Sequence, residues 1–459
     1  MNRYYCFICF CLLMVSSGCS SSSDQPVPPV LSETELVSVV AISRHGIRSP
    51  TSSTATMNQY TTRYQGFPIW PNSPDANTPD SPGNLSIHGQ QNATKLGSWY
   101  RDFYAAMGLF PSKGSCPPAG TVYAYADVAE RTIHTAQGYV DGMFLSEPNT
   151  GNCGVNVITT KLKVDPYIAT LAYAEFGLLG SCKLDTEGDY AAFMSRIGGS
   201  VDTLLTAYST QLQMLETVTQ NPLRSKLGTT IQKTPNVQFA SGTLFDVADN
   251  LTESFELQYA QGMTDTNCAT TIGANCVGWG VIPAGGLYDM TKLHVLNMDL
   301  TCSMPSFSKV GSTNLMWQLT GIMDQSLSGL RNPEVLAPVQ NKFSLFVAHD
   351  ENILAIAAFL GGVTWKAEGF QAKDPGPAGA LVFELHKVKV TGQTIVRLYY
   401  VIASLDQMRY GTTLSLTTPP QRIPLAIPAC GGLYDCPFDQ FKNFIASNVN
   451  QGCIIKTIP

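Results

Sequence analysis

Three short apolar runs, at residues 37–42, 122–126 and 343–348, are the clearest feature of the hydrophobic pattern. Each is rich in Val, Ala, Tyr or Phe and stops at polar residues or at a turn that carries Gly and Pro. Apolar runs of roughly four to eight residues with such boundaries are typical of buried β-strands. The pattern therefore predicts three strands, each followed directly by a polar segment.

The other patterned segments predict one hairpin and several helices. Residues 380–388 and 394–403 are apolar runs separated by a turn that contains Gly392, which is the pattern of a β-hairpin. Residues 127–130, Asp-Val-Ala-Glu, have the spacing of an N-terminal capping box and predict that a helix begins there. Helical patterns occupy residues 86–107, 190–218, 244–263 and 353–360.

Strands that alternate with helices predict an α/β fold, with a mixed, mostly parallel sheet flanked by helices. Strand signals become sparse from residue 165 to residue 287, which predicts a smaller, mainly helical domain inserted into the larger one. The α/β domain would then comprise residues 36–164 and 288–459. A chain of 459 residues is long enough for both units.

Charged residues are scarce, which limits the kinds of molecule that the protein is expected to bind. Only 14% of residues are Asp, Glu, Lys or Arg, against roughly 25% in average proteins, and the formal net charge is −6. A chain of this composition is not expected to bind nucleic acid or an extended polyanion. Any anion that it handles must be a small molecule, held by locally concentrated positive charge.

Such a local concentration follows the first predicted strand, where Arg44 and Arg48 flank His45. Arginine guanidinium groups match phosphate oxygens in pairs, and imidazole can attack phosphorus as a nucleophile. Gly46 lets the backbone approach a ligand, and Pro50 fixes the exit of the loop. A solvated loop cluster is the alternative interpretation of these residues taken alone.

The other two predicted strands end in the same way, at Arg131 and at His349 followed by Asp350. Ligands of α/β sheets bind outside the carboxyl ends of the strands, where helix N-termini also favour anions. Taken singly, Arg131 could be a helix-surface charge, His349 a strand-end histidine and Asp350 an N-cap. Together the three segments predict one site for phosphoryl transfer, and we expect neither a metal nor an organic cofactor in it.

The N-terminal residues 1–19 predict a signal peptide, because a positive start is followed by an apolar stretch too short to span a bilayer. Small residues before Cys19 resemble a bacterial lipoprotein cleavage box, with Cys19 as the lipidated residue; ordinary cleavage nearby is the alternative. Residues 20–35 then form a linker. The protein is expected to be exported, to be periplasmic, lipid-anchored or secreted, and to touch the membrane only through that anchor.

Nine of the thirteen cysteines follow residue 19, which predicts disulfides and one remaining thiol in an exported chain. Cys268 with Cys276 and Cys430 with Cys436 are close enough in sequence to form small loops. Zinc binding is the competing interpretation of such pairs. The spacing differs from C-x-x-C and no histidine is adjacent, so a metal site is not expected.

Residues 44–50, Arg-His-Gly-Ile-Arg-Ser-Pro, together with His349-Asp350, resemble the paired signature of the histidine acid phosphatases. This is the exported branch of the histidine phosphatase superfamily, which includes bacterial periplasmic phytases and glucose-1-phosphatases. The likeness extends over most of the mature chain. Supporting segments stand in the family's order at residues 126–132, 252–253, 261–263, 407–409 and 419–420.

The resemblance implies roles for the candidate site residues. His45 would attack phosphorus and form a phosphohistidine, and Asp350 would protonate the leaving alcohol, which agrees with the chemistry of the side chains. Thr51 and Glu253 would be candidate substrate contacts, although a helix-face carboxylate is an equal interpretation of Glu253. Four residues would bind the phosphoryl oxygens: Arg44, Arg48, Arg131 and His349.

The resemblance also implies four disulfides and leaves Cys302 as the odd thiol. The implied pairs are Cys116 with Cys153, Cys182 with Cys453, Cys268 with Cys276, and Cys430 with Cys436.

The substrate is less defined than the reaction. Phytases of this family often carry a lysine after the residue that corresponds to Thr51, whereas this chain has Ser52. We therefore expect a broad acid phosphatase for small phosphate monoesters, with a phytase or a glucose-1-phosphatase type of sugar phosphatase as the alternative. A mutase of the same superfamily would not need export. A lipoprotein that binds a phosphate ligand without catalysis is the alternative from another class.

Overall fold

The structure is a computed structural model that describes residues 33–456, apart from residues 65, 76–78, 80, 145–150, 172–181, 264–276 and 283–284. The predicted signal peptide, Cys19, almost all of the predicted linker and the Cys268–Cys276 pair lie outside the described residues. Within the described part of the chain, a large mixed sheet is flanked by helices, as the sequence predicts.

The sheet has eight strands, and the candidate site residues follow three strands of its parallel part. The strand order is β10-β8-β7-β1-β6-β2-β3, with β9 paired to β8. Strands β1, β6, β2 and β3 run parallel, whereas β7, β8, β9 and β10 pair antiparallel. The strands are β1 Thr34–Arg44, β2 Val122–Ala126, β3 Val157–Ile158, β4 Ile231–Gln232, β5 Gln238–Phe239, β6 Phe343–Ala348, β7 Ala380–Val388, β8 Thr394–Ile402, β9 Gln421–Leu425 and β10 Cys436–Pro437.

The helices coincide with most of the predicted segments. The predicted helix over residues 190–218 is divided into α4, α5 and α6, and the first break falls at Gly198 and Gly199, which both have positive φ. The helices are α1 Thr54–Met57, α2 Ile87–Ala106, α3 Glu130–Phe144, α4 Thr186–Arg196, α5 Val201–Ala207, α6 Ser209–Thr219, α7 Leu223–Lys226, α8 Leu244–Ala260, α9 Gly286–Cys302, α10 Pro305–Ser328, α11 Asp350–Phe359, α12 Leu405–Arg409 and α13 Phe438–Asn448. None of the described helices has both the length and the apolar character that crossing a bilayer requires.

The three strands predicted from apolar runs are neighbours and end level with one another. Arg44 at the end of β1 pairs with Ala348 at the end of β6, and Ala126 at the end of β2 pairs with Val347. Strands β2 and β6 are buried along their whole length because this part of the sheet is covered on both faces, which accounts for their apolar sequences. The polar segments after the three strands therefore emerge at one edge of the sheet.

The predicted capping box at residues 127–130 is wrong. Helix α3 begins at Glu130, so Asp127 lies three residues before the helix. The Asp127 side chain instead bonds with His349 across the sheet edge, and the Glu130 side chain accepts the backbone N–H of Leu85. Tertiary partners have replaced the local hydrogen bonds that the spacing suggests.

Three disulfides are present in the described part of the chain. Cys116 is joined to Cys153, Cys182 to Cys453, and Cys430 to Cys436, and Cys302 is a buried free thiol. These are three of the four pairs implied by the resemblance.

The region of sparse strand signals, residues 165–287, holds helices α4 to α8 and the small antiparallel pair β4 and β5, which the sequence did not predict. Its status as a separate domain stays a prediction.

Candidate active site

The carboxyl ends of β1, β2 and β6 bring the predicted site residues into direct contact. The rings of His45 and His349 have their centroids 5.7 Å apart. Arg44 Nη2 lies 2.9 Å from Asp350 Oδ2, and Arg131 Nη2 lies 3.4 Å from His349 Nδ1. The edge of the sheet therefore gathers the segments that the sequence analysis assigned to one site.

Backbone hydrogen bonds to two other segments hold His45 in place, and a hydrogen bond from its ring to the next residue fixes its tautomer. Its N–H donates to the carbonyl of Ala348 at 3.0 Å, and its carbonyl accepts from Ala378 at 2.9 Å. The ring Nδ1 lies 2.9 Å from the carbonyl of Gly46, so Nδ1 carries the hydrogen and Nε2 keeps its lone pair. Nε2 is thus the nitrogen available for attack.

The surroundings of His45 keep the imidazole neutral. The ring is buried, and burial lowers its pKa well below the ordinary value of 6.5. The positive charges of Arg131, Arg44 and Arg48 lower that pKa further. His45 therefore stays unprotonated in acidic solution, where an ordinary histidine would be a cation.

The loop after β1 is fixed by its close contact with helix α2. A Cβ atom on Gly89 would lie 2.2 Å from the carbonyl oxygen of Ile47, so only glycine permits this approach. Ser86 caps α2 by accepting the N–H of Gly89, and the N–H of Gly46 donates to Thr135 in α3. Both helices thus hold the loop in place.

Two arginines share a single carboxylate and form what we call the arginine clamp: Arg44, Arg48 and Glu253. Arg48 Nη2 donates to both oxygens of Glu253, at 2.8 and 3.0 Å, and Arg44 Nη2 donates to Glu253 Oε1. Burial alone would raise the pKa of Glu253, but the charges of Arg48 and Arg44 outweigh it and the pKa falls below its ordinary value. Glu253 is therefore ionised and holds the two guanidinium groups together.

Three arginines near His45 each have a buried Nε–H group with no acceptor among the described residues: Arg44, Arg48 and Arg131. An unpaired buried donor is costly, and native structures rarely leave one without a partner. Three such donors around His45 are suited to the oxygens of a tetrahedral anion. The arrangement can therefore bind an anion of this shape beside a neutral imidazole.

Asp127 orients His349, and the sequence analysis missed this residue as part of the site. His349 Nε2 lies 2.8 Å from Asp127 Oδ2, which leaves Nδ1 facing Arg131. Asp127 follows β2 directly, as His45 and His349 follow their own strands. The same strand-end criterion would have found it had the capping interpretation not been preferred.

Asp350 begins helix α11 and is an anion in this site. Burial would raise its pKa, but the charges of Arg44, Arg48 and His294 lower it well below its ordinary value. Its Oδ1 accepts the N–H of Glu351 at 3.0 Å. Asp350 can give up a proton only after it has received one.

The two candidate substrate contacts occupy different positions. Thr51 is exposed and lies beside Gly83, as does the guanidinium group of Arg131, so Thr51 is at the rim of the site. Glu253 is buried within the arginine clamp, a role that its position on a helix could not reveal.

One group of candidate metal ligands is present among the described residues, next to Arg131 in sequence. Single ligand atoms of Asp75, Glu130 and His134 all lie within 4.8 Å of one another. His134 Nε2 and Asp75 Oδ2 are 2.8 Å apart, so a hydrogen bond between them already accounts for their contact.

Comparison with known proteins gives concordant matches. Residues 35–173 match the family model of the histidine phosphatase superfamily, branch 2. The phytase AppA of Escherichia coli (strain K12) is 29% identical over 421 residues, which cover 87% of this chain and 88% of that protein. The glucose-1-phosphatase of Salmonella typhimurium is 25% identical over 420 residues, which cover 89% of this chain and 91% of that protein.

Solved structures are similar over nearly the whole length. The phytase of Citrobacter braakii superposes with a TM-score of 0.76 at 26% identity, covering 92% of this chain and 100% of that one. The Hafnia alvei phytase in complex with tartrate gives a TM-score of 0.75 at 25% identity, covering 94% of this chain and 100% of that one. The arrangement around His45 and these matches point the same way: the chain resembles members of branch 2 of the histidine phosphatase superfamily, over residues 35–173 in the family model and over most of its length in the phytases and the glucose-1-phosphatase.

Proposed function

We propose that this protein is an acid phosphatase that hydrolyses small phosphate monoesters through a phosphohistidine at His45. The proposal rests on one observation above all, the neutral Nε2 of His45 beside three buried arginine Nε–H donors without partners. The match to the family model and the names of the similar proteins, a phytase and a glucose-1-phosphatase, support the same reaction.

In the first step, the guanidinium groups of Arg44, Arg48 and Arg131 bind the phosphoryl oxygens together with His349. His45 Nε2 attacks phosphorus, and the bond from phosphorus to the ester oxygen breaks as the new P–N bond forms. The departing oxygen takes a proton from Asp350, so the products of this step are a free alcohol and the phosphohistidine.

In the second step, a water molecule attacks the phosphorus of the phosphohistidine. Asp350, now a carboxylate, accepts the proton of that water, and the P–N bond breaks to regenerate neutral His45. Inorganic phosphate takes this proton from Asp350 and leaves as the monoanion, so Asp350 is again a carboxylate.

The proposed activity should be higher in acidic solution because of the source of the proton that is used in the first step. Asp350 is ionised in the free site, so the proton must arrive with the substrate. A phosphate monoester keeps one proton below its second pKa of about 6. Binding places that anion beside Asp350 and favours transfer of the proton to the carboxylate. Activity should therefore decline above about pH 6, while the low pKa of His45 preserves the nucleophile below it.

The substrate class that we propose is broad. The similar proteins are named for two different phosphate esters, phytate and glucose 1-phosphate, and Ser52 stands where phytases of this family often carry a lysine. Phytase or sugar-phosphatase activity remains the alternative, as does phosphate binding without turnover.

Substitution of the nucleophile tests the proposed reaction. We expect His45→Ala to lose at least about 10³-fold in kcat/KM because no other group can form the covalent intermediate. The measurement is hydrolysis of p-nitrophenyl phosphate, glucose 1-phosphate and phytate near pH 5, below the second phosphate pKa of about 6. His134→Ala, a histidine of α3 outside the clamp, is the control. Phosphate binding without hydrolysis by the unaltered protein would favour the non-catalytic alternative.

The role of Asp350 can be isolated by varying the leaving group. Asp350→Asn should reduce kcat/KM by about 10² to 10⁴-fold for an alkyl phosphate, whose alkoxide needs a proton. The loss should be much smaller for p-nitrophenyl phosphate, because its phenolate leaves without one. Glu351→Gln, the next carboxylate in α11, should keep the ratio of the two rates. Equal losses on both substrates in Asp350→Asn would contradict an acid role.

We also infer that the protein is exported and anchored by lipid at Cys19. The apolar N-terminal sequence and the disulfides of the folded chain support export. Expressed in a bacterial host, the full chain should incorporate labelled palmitate and sediment with membranes, whereas Cys19→Ala should do neither. Unlabelled protein in the soluble periplasmic fraction would instead indicate ordinary cleavage.

A further inference from the structure

The arginine clamp has a support that the proposed mechanism does not use. Glu253 lies on helix α8, and one turn earlier on the same helix is Asp249. His294 Nδ1 donates to Asp249 Oδ1 at 2.5 Å, and Asn297 Nδ2 donates to Asp249 Oδ2 at 2.6 Å. Both donors come from α9, which packs against α8. The two helices are therefore joined by a polar contact directly behind the clamp.

His294 is a buried cation. Its residue is only 1% exposed, and burial alone would lower its pKa, but Asp249, Glu253 and Asp374 outweigh burial and raise the pKa to about 10. The second ring nitrogen, Nε2, has no hydrogen-bond partner among the described residues. The charge of His294 is therefore balanced through space and not by a second direct contact.

The groups that act on His294 come from three parts of the fold, and all are carboxyl groups. They are Asp249, Glu253 and Glu256 on α8, Asp350 at the start of α11, and Asp374 in the segment before β7.

His294 in turn affects the carboxylates of the site. Its positive charge is among the causes that lower the pKa of Glu253 and the pKa of Asp350. Both carboxylates contact Arg44 directly. A change in the charge of His294 therefore reaches the arginines that would hold the substrate.

We propose that His294, held by Asp249 and Asn297, is a positioning residue that keeps Glu253 ionised and so keeps Arg44 and Arg48 aimed at the substrate phosphate. This inference rests on the proposed function. His294 contacts Asp249, one turn before Glu253 on α8, and the proposed mechanism gives it no contact with the substrate. Its effect should appear in phosphate affinity and in the pH profile, which a purely structural contact between two helices would not move.

Asp249→Asn tests the inference with almost no change in shape. The amide can still accept from His294 Nδ1, but it no longer stabilises the imidazolium, so the pKa of His294 falls, and loss of its positive charge raises the pKa of Glu253. Glu253 then protonates at a higher pH and releases the clamp. We expect the dissociation constant for inorganic phosphate, measured by calorimetry near pH 5, to rise about tenfold, which corresponds to about 1.4 kcal/mol.

The acidic limb of the kcat/KM profile for p-nitrophenyl phosphate should move toward higher pH by about one unit, the equivalent of about 1.4 kcal/mol of lost interaction. Asp246→Asn is the matched control. It removes a carboxylate one turn earlier on α8, which accepts the N–H of Gly242 and does not contact His294. That variant should keep the phosphate affinity and the profile of the unaltered protein.

The outcomes separate this inference from the proposed function. If the unaltered protein neither binds inorganic phosphate nor hydrolyses the esters, the proposed function fails. If the unaltered protein is active and Asp249→Asn retains its affinity and profile, with or without a lower melting temperature, the positioning role is overturned. If Asp249→Asn does not fold, Asn297→Ala decides by the same two readouts. It removes one of the two donors and should shift both in the same direction by a smaller amount, and no shift would overturn the role.

Discussion

The site depends on a single carboxylate that two buried guanidinium groups share. Two like charges 4 Å apart repel by about 4 kcal/mol even at an effective dielectric constant of about 20, so Arg44 and Arg48 need a compensating anion between them. Glu253 supplies that charge from a helix that is distant in sequence. Because the Nη2 groups of both arginines are engaged by Glu253, their Nε–H groups remain for an external anion.

The same positive charges lower the pKa of both proposed reacting groups, which leaves one neutral and the other an anion. Burial lowers the pKa of His45 and these charges lower it further, so His45 is neutral; against burial, the charges lower the pKa of Asp350, so Asp350 is ionised. A neutral nucleophile and an anionic carboxylate thus coexist in acidic solution, where ordinary side chains of these types would tend to be protonated. The charge that organises the site is therefore also what suits it to acid chemistry.

The sequence predicts the part of the site that follows from strand geometry. Arg44, His45, His349 and Asp350 were found because the ends of parallel strands meet at one edge, which is a property of the sheet and not of the individual residues. Asp127 satisfies the same criterion, but a local capping pattern competed with it and was preferred. The division of the predicted helix over residues 190–218 was indicated by Gly198 and Gly199, which the periodicity of the surrounding residues concealed.

The support behind the arginines could not be predicted in this way. Glu253 and His294 lie on helices, where a polar residue is usually solvated, and only the packing of α8 against α9 shows that they are buried, with Asp249 partly buried beside them. Their roles depend on which faces of the helices cover the site. The hydrophobic periodicity of a helix shows that one of its faces is buried, but it does not show which element packs against that face. The groups that balance the charges of the motif arginines are therefore visible only in the tertiary structure.

The central claim is that an anion held by these arginines is attacked by Nε2 of His45, and the position of the phosphoryl group tests it directly. The enzyme would be quenched in base during turnover of a phosphate monoester, and the phosphorylated peptide would be analysed by mass spectrometry and ³¹P NMR. We predict phosphate on Nε2 of His45, because Nδ1 is occupied by its hydrogen bond to Gly46. Phosphate on Nδ1 or on another residue, or turnover with no phosphoenzyme, would contradict the account.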